Sequence, residues 1–120
     1  MNPRFSTVPS APRPAWVPNL DVFVDPSGNL IICVELSGVG PSDVEIKTEG
    51  LKIQIAGKRA SSGVGTARTV LVHEINSGPF ETVLELPAGF DLANASSHYS
   101  NGTLVIMVPG KGPPAAQGQS

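Results

Sequence analysis

The chain has 120 residues, with 8 Lys and Arg against 10 Asp and Glu for a formal net charge of −2. That length suits one domain, and a composition only 15% charged, with no basic run longer than Lys58-Arg59, excludes the cationic face that phosphate neutralisation requires, so no nucleic acid is expected as a partner. No apolar run approaches the ~18 residues of a membrane span, and the single cysteine, Cys33, closes no intramolecular disulfide, which fits a reducing compartment.

Residues 1–15 carry Pro3, Pro9, Pro12 and Pro14 with one aromatic side chain, Phe5. Such a segment buries too little surface to offset its ordering entropy and is expected to be a flexible N-terminal arm. It also lacks the apolar run of a secretory signal, so the expected location is cytoplasmic. Residues 16–109 form the expected domain, and 110–120, rich in Gly and Pro, are expected to be a flexible C-terminal tail.

Within the domain the hydrophobic period is two. In LDVFVD, Leu20, Val22 and Val24 share a face; in NLIICVEL, Leu30, Ile32, Val34 and Leu36 oppose Ile31, Cys33 and Glu35. DVEIKT sets Val44 and Ile46 against Glu45 and Lys47, and LKIQIAGKR sets Leu51, Ile53 and Ile55 against Lys52, Gln54 and Ala56. ETVLELP places Val83 and Glu85 opposite Leu84 and Leu86, and TLVIMVP ends with Leu104, Ile106 and Val108 on one face. Asp25-Pro26-Ser27-Gly28-Asn29 is turn chemistry, and Asn101-Gly102 signals a type I′ hairpin. Six short alternating runs punctuated by Gly and Pro, with no helical window, predict an all-β antiparallel sandwich.

The stretch ASSGVGTARTVLVH, from Ala60 to His73, starts as a Ser/Gly loop and ends strand-like at Thr69-Val70-Leu71-Val72. Connections this long are uncommon inside small domains and tend to be functional. An extended apolar loop can add itself to another chain's sheet edge, a physical reason to expect a dimer.

Chemistry for catalysis is thin. His73 and Glu74 are neighbours on an expected strand, so their side chains diverge, and His98 has no sequence-near partner. Cys33 sits mid-strand without a visible cationic neighbour to activate it. Two histidines and one cysteine show no metal-ligand spacing, and Gly63-Val64-Gly65 lacks the lysine and helix of a phosphate loop. No enzyme, cofactor or metal site is expected. Binding is the better class: Val105 and Met107 make the last run apolar on both faces, and Val44 with Ile46 adds apolar surface, so these four residues are the candidate groove for other chains.

Taken in order, the motifs resemble the α-crystallin domain of the small heat-shock proteins, over roughly residues 16–109. WVPNLDVFVD resembles the opening Trp-x-Pro-x-x-Asp strand, and Glu35-Leu36-Ser37-Gly38-Val39 sits where the family has acid-Leu-Pro-Gly-Val. Asp43-Val44-Glu45-Ile46 and Leu51 to Arg59, ending in Gly-x-Arg, are similar to two middle strands. Gly78-Pro79-Phe80, Leu84-Glu85-Leu86-Pro87, Tyr99-Ser100-Asn101-Gly102-Thr103-Leu104 and Val108-Pro109 complete the series.

The resemblance implies an immunoglobulin-like β-sandwich and an ATP-independent holdase that binds partly unfolded client proteins under stress. It implies a homodimer in which the loop around Arg68, Val70, Leu71 and Val72 pairs with the partner's strand at Leu20, Val22 and Val24. Thr82 stands where many members carry an arginine that pairs across the dimer, so that ion pair is not expected. No Ile-x-Ile or Val-x-Val follows Pro109, which points to a dimer or small oligomer. The alternatives are an adaptor sandwich recognising one folded partner, or a modulator forming mixed oligomers with other small heat-shock proteins.

Overall fold

Alternation of side chains across each strand decides the architecture, because two rows of aliphatic residues can be buried only face to face. The structure, a computed structural model, describes residues 16–112; the expected arm at 1–15 and the end of the expected tail at 113–120 lie outside the described residues. Seven strands follow in chain order: β1 (Leu20–Val24), β2 (Leu30–Glu35), β3 (Val44–Glu49), β4 (Lys52–Arg59), β5 (Gly78–Glu85), β6 (Ser96–Ser100) and β7 (Thr103–Val108). They form a four-stranded sheet in the order β1-β2-β7-β6 and a three-stranded sheet in the order β3-β4-β5, every ladder antiparallel. The all-β antiparallel sandwich expected from the sequence is therefore what the chain adopts. Helical geometry among the described residues is confined to three single 3-10 turns.

The core lies between the sheets. Leu30, Ile32 and Val34 of β2 and Leu104, Ile106 and Val108 of β7 meet Ile53 and Ile55 of β4 and Phe80 of β5, all buried. Each such side chain contributes about 2 kcal/mol from removal of apolar surface from water. Leu36, Val39, Leu86, Leu92 and Trp16 close the ends of this layer. In register, Ile32 lies beside Val22 and Ile106, and Ile55 beside Ile46 and Thr82.

Turn chemistry fixes the connections. The Asp25 carboxylate accepts from the amides of Ser27 and Asn29, both at 2.9 Å, which folds the β1–β2 hairpin. Asn101 and Gly102 take φ of 53° and 81°, the two left-handed positions of a type I′ turn.

Three details differ from the sequence reading. β6, with the sequence SSHYS, is a seventh strand that carries no apolar alternation. Thr69 to Val72 joins no ladder among the described residues. The pairing also continues past Pro109: Gly110 bridges Phe90 and the Lys111 amide donates to the Gly89 carbonyl at 2.9 Å.

Candidate interaction surface

β1 is an edge strand, and its hydrogen bonds show which of its groups are free. The Asn19 carbonyl accepts from the Glu35 amide at 3.0 Å, and the Asp25 amide donates to the Asn29 carbonyl at 2.8 Å. Because antiparallel pairing alternates in direction along a strand, the odd-numbered residues between them turn their amides and carbonyls toward β2. Leu20, Val22 and Val24 turn theirs to the open side, where no strand lies among the described residues. An unpaired edge of this kind is a template for another chain.

The side chains on that edge are uncovered too. Val22 and Val24 share the inward face with Ile32 and Leu30, yet they are 44% and 56% exposed; the opposing three-stranded sheet leaves them bare. Phe23, on the other face, is 49% exposed.

The second element is the loop from Ala60 to Ser77, which joins β4 to β5. From Ser61 to Asn76 every residue except Val64 is exposed, including Val70, Leu71, Val72 and Ile75, with Leu71 at 89%. Of the nine large apolar side chains exposed among the described residues, three lie on β1 and four on this loop. The base of the loop is fixed even though its tip is bare. Arg59 donates from Nε to the Asn76 carbonyl at 2.8 Å and from Nη1 to the Ser37 carbonyl at 3.0 Å. The Trp16 indole donates to the Gly78 carbonyl at 3.2 Å.

A third apolar area is the outward face of the four-stranded sheet. Phe23, Ile31 and Met107 lie in one row, and Cys33 and Val105 in the next, between Asp21 and His98. The strands of this sheet carry no Lys or Arg; their charged residues are Asp21 and Glu35. The outward face of the other sheet is instead polar, with Glu45, Lys47, Glu49, Lys52, Glu81 and Glu85.

The structure thus places the expected partner-pairing residues in two groups of one chain, Leu20, Val22 and Val24 on the edge and Arg68, Val70, Leu71 and Val72 on the loop. It does not unite the four candidate groove residues. Val44 and Ile46 are half-buried on the inward face of β3 and pack against the core, while Val105 and Met107 face outward from the opposite sheet. The topology separates them: β3 belongs to the three-stranded sheet and points Val44 and Ile46 at the core, whereas β7 belongs to the other sheet and points Val105 and Met107 away from it. The sequence reading missed Phe23, Ile31 and Ile75; the continuous apolar run Leu30 to Val34, apolar on both faces, was the available signal for Ile31.

His73 and Glu74 lie on the loop and not on a strand as expected, and His98 is exposed on β6. No group of three or more His, Cys, Asp or Glu among the described residues is arranged to hold a metal ion. No helix among them is long and apolar enough to cross a membrane.

Comparison with known proteins agrees with this geometry. The model of the Hsp20/alpha crystallin family matches residues 24–120. The chain is 34% identical over 94 residues to the 19.0 kDa class II heat shock protein of Oryza sativa subsp. japonica, an alignment covering 73% of this chain and 54% of that one. It is 28% identical over 96 residues to spore protein SP21 of Stigmatella aurantiaca, covering 80% and 56%. The chain therefore spans a little over half the length of the curated relatives it matches. Its fold is similar to that of a small heat-shock protein from Xylella fastidiosa, with a TM-score of 0.74 at 24% identity over 82% of this chain and 90% of that one.

Proposed function

Because the chain belongs to the Hsp20/alpha crystallin family, we propose that it is an ATP-independent holdase acting in the cytoplasm, which binds partly unfolded proteins through apolar surface and keeps them from aggregating. It works as a homodimer, the loop at Arg68, Val70, Leu71 and Val72 of each copy adding to the edge at Leu20, Val22 and Val24 of the other. The observation that carries this reading is the concentration of exposed apolar side chains on one unpaired edge and one projecting loop. Both are hazards in a solitary chain, and each is relieved by the other in a second copy.

Clients meet Val105 and Met107, with Phe23 and Ile31 beside them, on the outward face of the four-stranded sheet; Val44 and Ile46, half-buried on the edge strand β3, offer a separate contact. Binding that needs no nucleotide shifts a client away from aggregation by mass action, without folding it. No catalytic group takes part. The test is light scattering from a heat-aggregating model enzyme with an equimolar amount of this protein and no nucleotide. Suppressed scattering supports the holdase; unchanged scattering overturns it and favours an adaptor sandwich that recognises one folded partner.

A further inference from the structure

The dimer proposed above leaves open which way round the loop segment lies on the β1 edge. A strand added there presents alternate residues to the two faces of the sheet. One parity sends Leu71 inward and Arg68, Val70 and Val72 outward; the other sends Arg68, Val70 and Val72 inward. The charges around the edge distinguish them. The inward face of the four-stranded sheet carries no acidic residue, as Leu20, Val22, Val24, Leu30, Ile32 and Val34 show, so an inward Arg68 would lose water without a counter-charge. The outward face offers carboxylates at Asp21 and, at the end of β1, Asp25.

Asp25 already accepts from the amides of Ser27 and Asn29. Asp21 is exposed and has no ion-pair partner among the described residues, and neither has Arg68. Asp21 also borders an open hollow of about 210 Å³ that it shares with Cys33, Glu35 and Thr103, which brings a second carboxylate beside the same opening and leaves room for a planar guanidinium. The apolar pattern favours the same parity. Leu71, the most exposed of the loop's apolar side chains, is then laid over Val22 and Val24. One of Val70 and Val72 then extends the outward row of Phe23, Ile31 and Met107, and the other lies on the same face beside it.

Resting on the homodimer reading, we infer that Arg68 of each copy pairs with Asp21 of the other and so fixes the face and register of the exchanged segment. The pair is at the rim of the contact, where charge sets orientation and encounter more than affinity.

The experiment is a charge exchange read by sedimentation velocity over a dilution series. Arg68→Glu and Asp21→Arg each weaken dimerisation roughly three- to tenfold at low salt, as expected for an exposed pair turned repulsive. The double variant R68E/D21R returns to the dissociation constant of the unaltered chain, and raising salt to about 0.5 M narrows the differences. Both positions are exposed, so the variants keep the fold, checked by matching far-UV circular dichroism and melting temperature. Single reversals without effect, or a double variant no tighter than either single one, overturn the pairing. The dimer reading is tested separately by Val70→Asp with Leu71→Asp: if that change dissociates the dimer while the charge reversals do not, the dimer stands and the register falls. If it leaves the dimer intact, both fall.

Discussion

The guanidinium carbon of Arg59 stands 4.1 Å from the centre of the Trp16 ring. The same indole packs on Phe80 at a centroid distance of 5.0 Å and a tilt of 50°. One arginine thereby joins the last residue of β4, the segment leading into β1, the Ser37 turn after β2 and the base of the long loop at Asn76. Its planar fork meets two carbonyls while its face covers a ring, an arrangement an ammonium cannot copy.

Replacing Arg59 by Lys keeps the charge and loses this geometry. The expected cost is about 1–2 kcal/mol in urea unfolding, from the cation–π contact and two partly solvated charge-assisted hydrogen bonds. Trp16 is the only tryptophan, so a red shift of its emission in the folded variant reports the loosened ring directly. An unshifted spectrum with unchanged stability would show that Arg59 holds nothing.

Gly57 carries a different constraint. It lies on the inward face of β4 between Val44 and Phe80, and a Cβ there would run into the Asp43 carbonyl and come within 2.8 Å of Phe80 Cζ. Its backbone is ordinary, so the restriction is steric alone. Gly57→Ala is expected to destabilise the fold by about 1–3 kcal/mol through overpacking. Thermal melting of the variant tests this, and an unaltered melting temperature would contradict the packing.

The Tyr99 hydroxyl of β6 donates toward the carbonyls of Leu36, at 2.8 Å, and Val39. It thus pins the turn that leads from one sheet to the other. Tyr99→Phe keeps the ring and removes the hydroxyl from the Val39 carbonyl, while the Leu36 carbonyl keeps the Val39 amide at 3.0 Å, for a cost of about 1–2 kcal/mol by chemical denaturation. Faster amide exchange at Ser37 to Val39 is expected to accompany it.

At the loop tip, Val70→Asp combined with Leu71→Asp is expected to convert the proposed dimer into monomer without loss of the sandwich, because both side chains are exposed and contribute nothing to the core. Static light scattering reads the mass, and a dimer mass would refute the exchange.

The sandwich was legible because its strands obey a strict period. Ile32, Ile53, Ile55 and Ile106 occupy the buried positions that alternation assigns them, and Asn101-Gly102 announced its own turn. β6 was not legible: it is an edge strand held by backbone pairing to β7, and only Tyr99 on it is half-buried, so no apolar pattern marks it. Thr69 to Val72 reads as a strand from β-branched composition alone, yet pairing needs a neighbour that the described residues of this chain do not provide. The Arg59–Trp16 contact joins residues far apart in sequence and leaves no local signature. For the groove residues, the sequence supplied each strand's faces but not which sheet each strand would join, so Val44 and Val105 could be grouped before the topology separated them.

The pinning of residues 60–77 at both ends has a consequence for how such a chain can change over generations. Arg59 and Gly78 are paired in the β4–β5 ladder, so the intervening stretch begins and ends at one place on the sandwich. Closing a longer or shorter loop from there alters the entropy only slowly, by roughly 0.6 kcal/mol for each doubling in length. Substitutions, insertions and deletions in this stretch are therefore nearly invisible to the core that supports it. The segment is a replaceable cassette: duplicated copies of the chain could drift apart in the company they keep while retaining the same folded body.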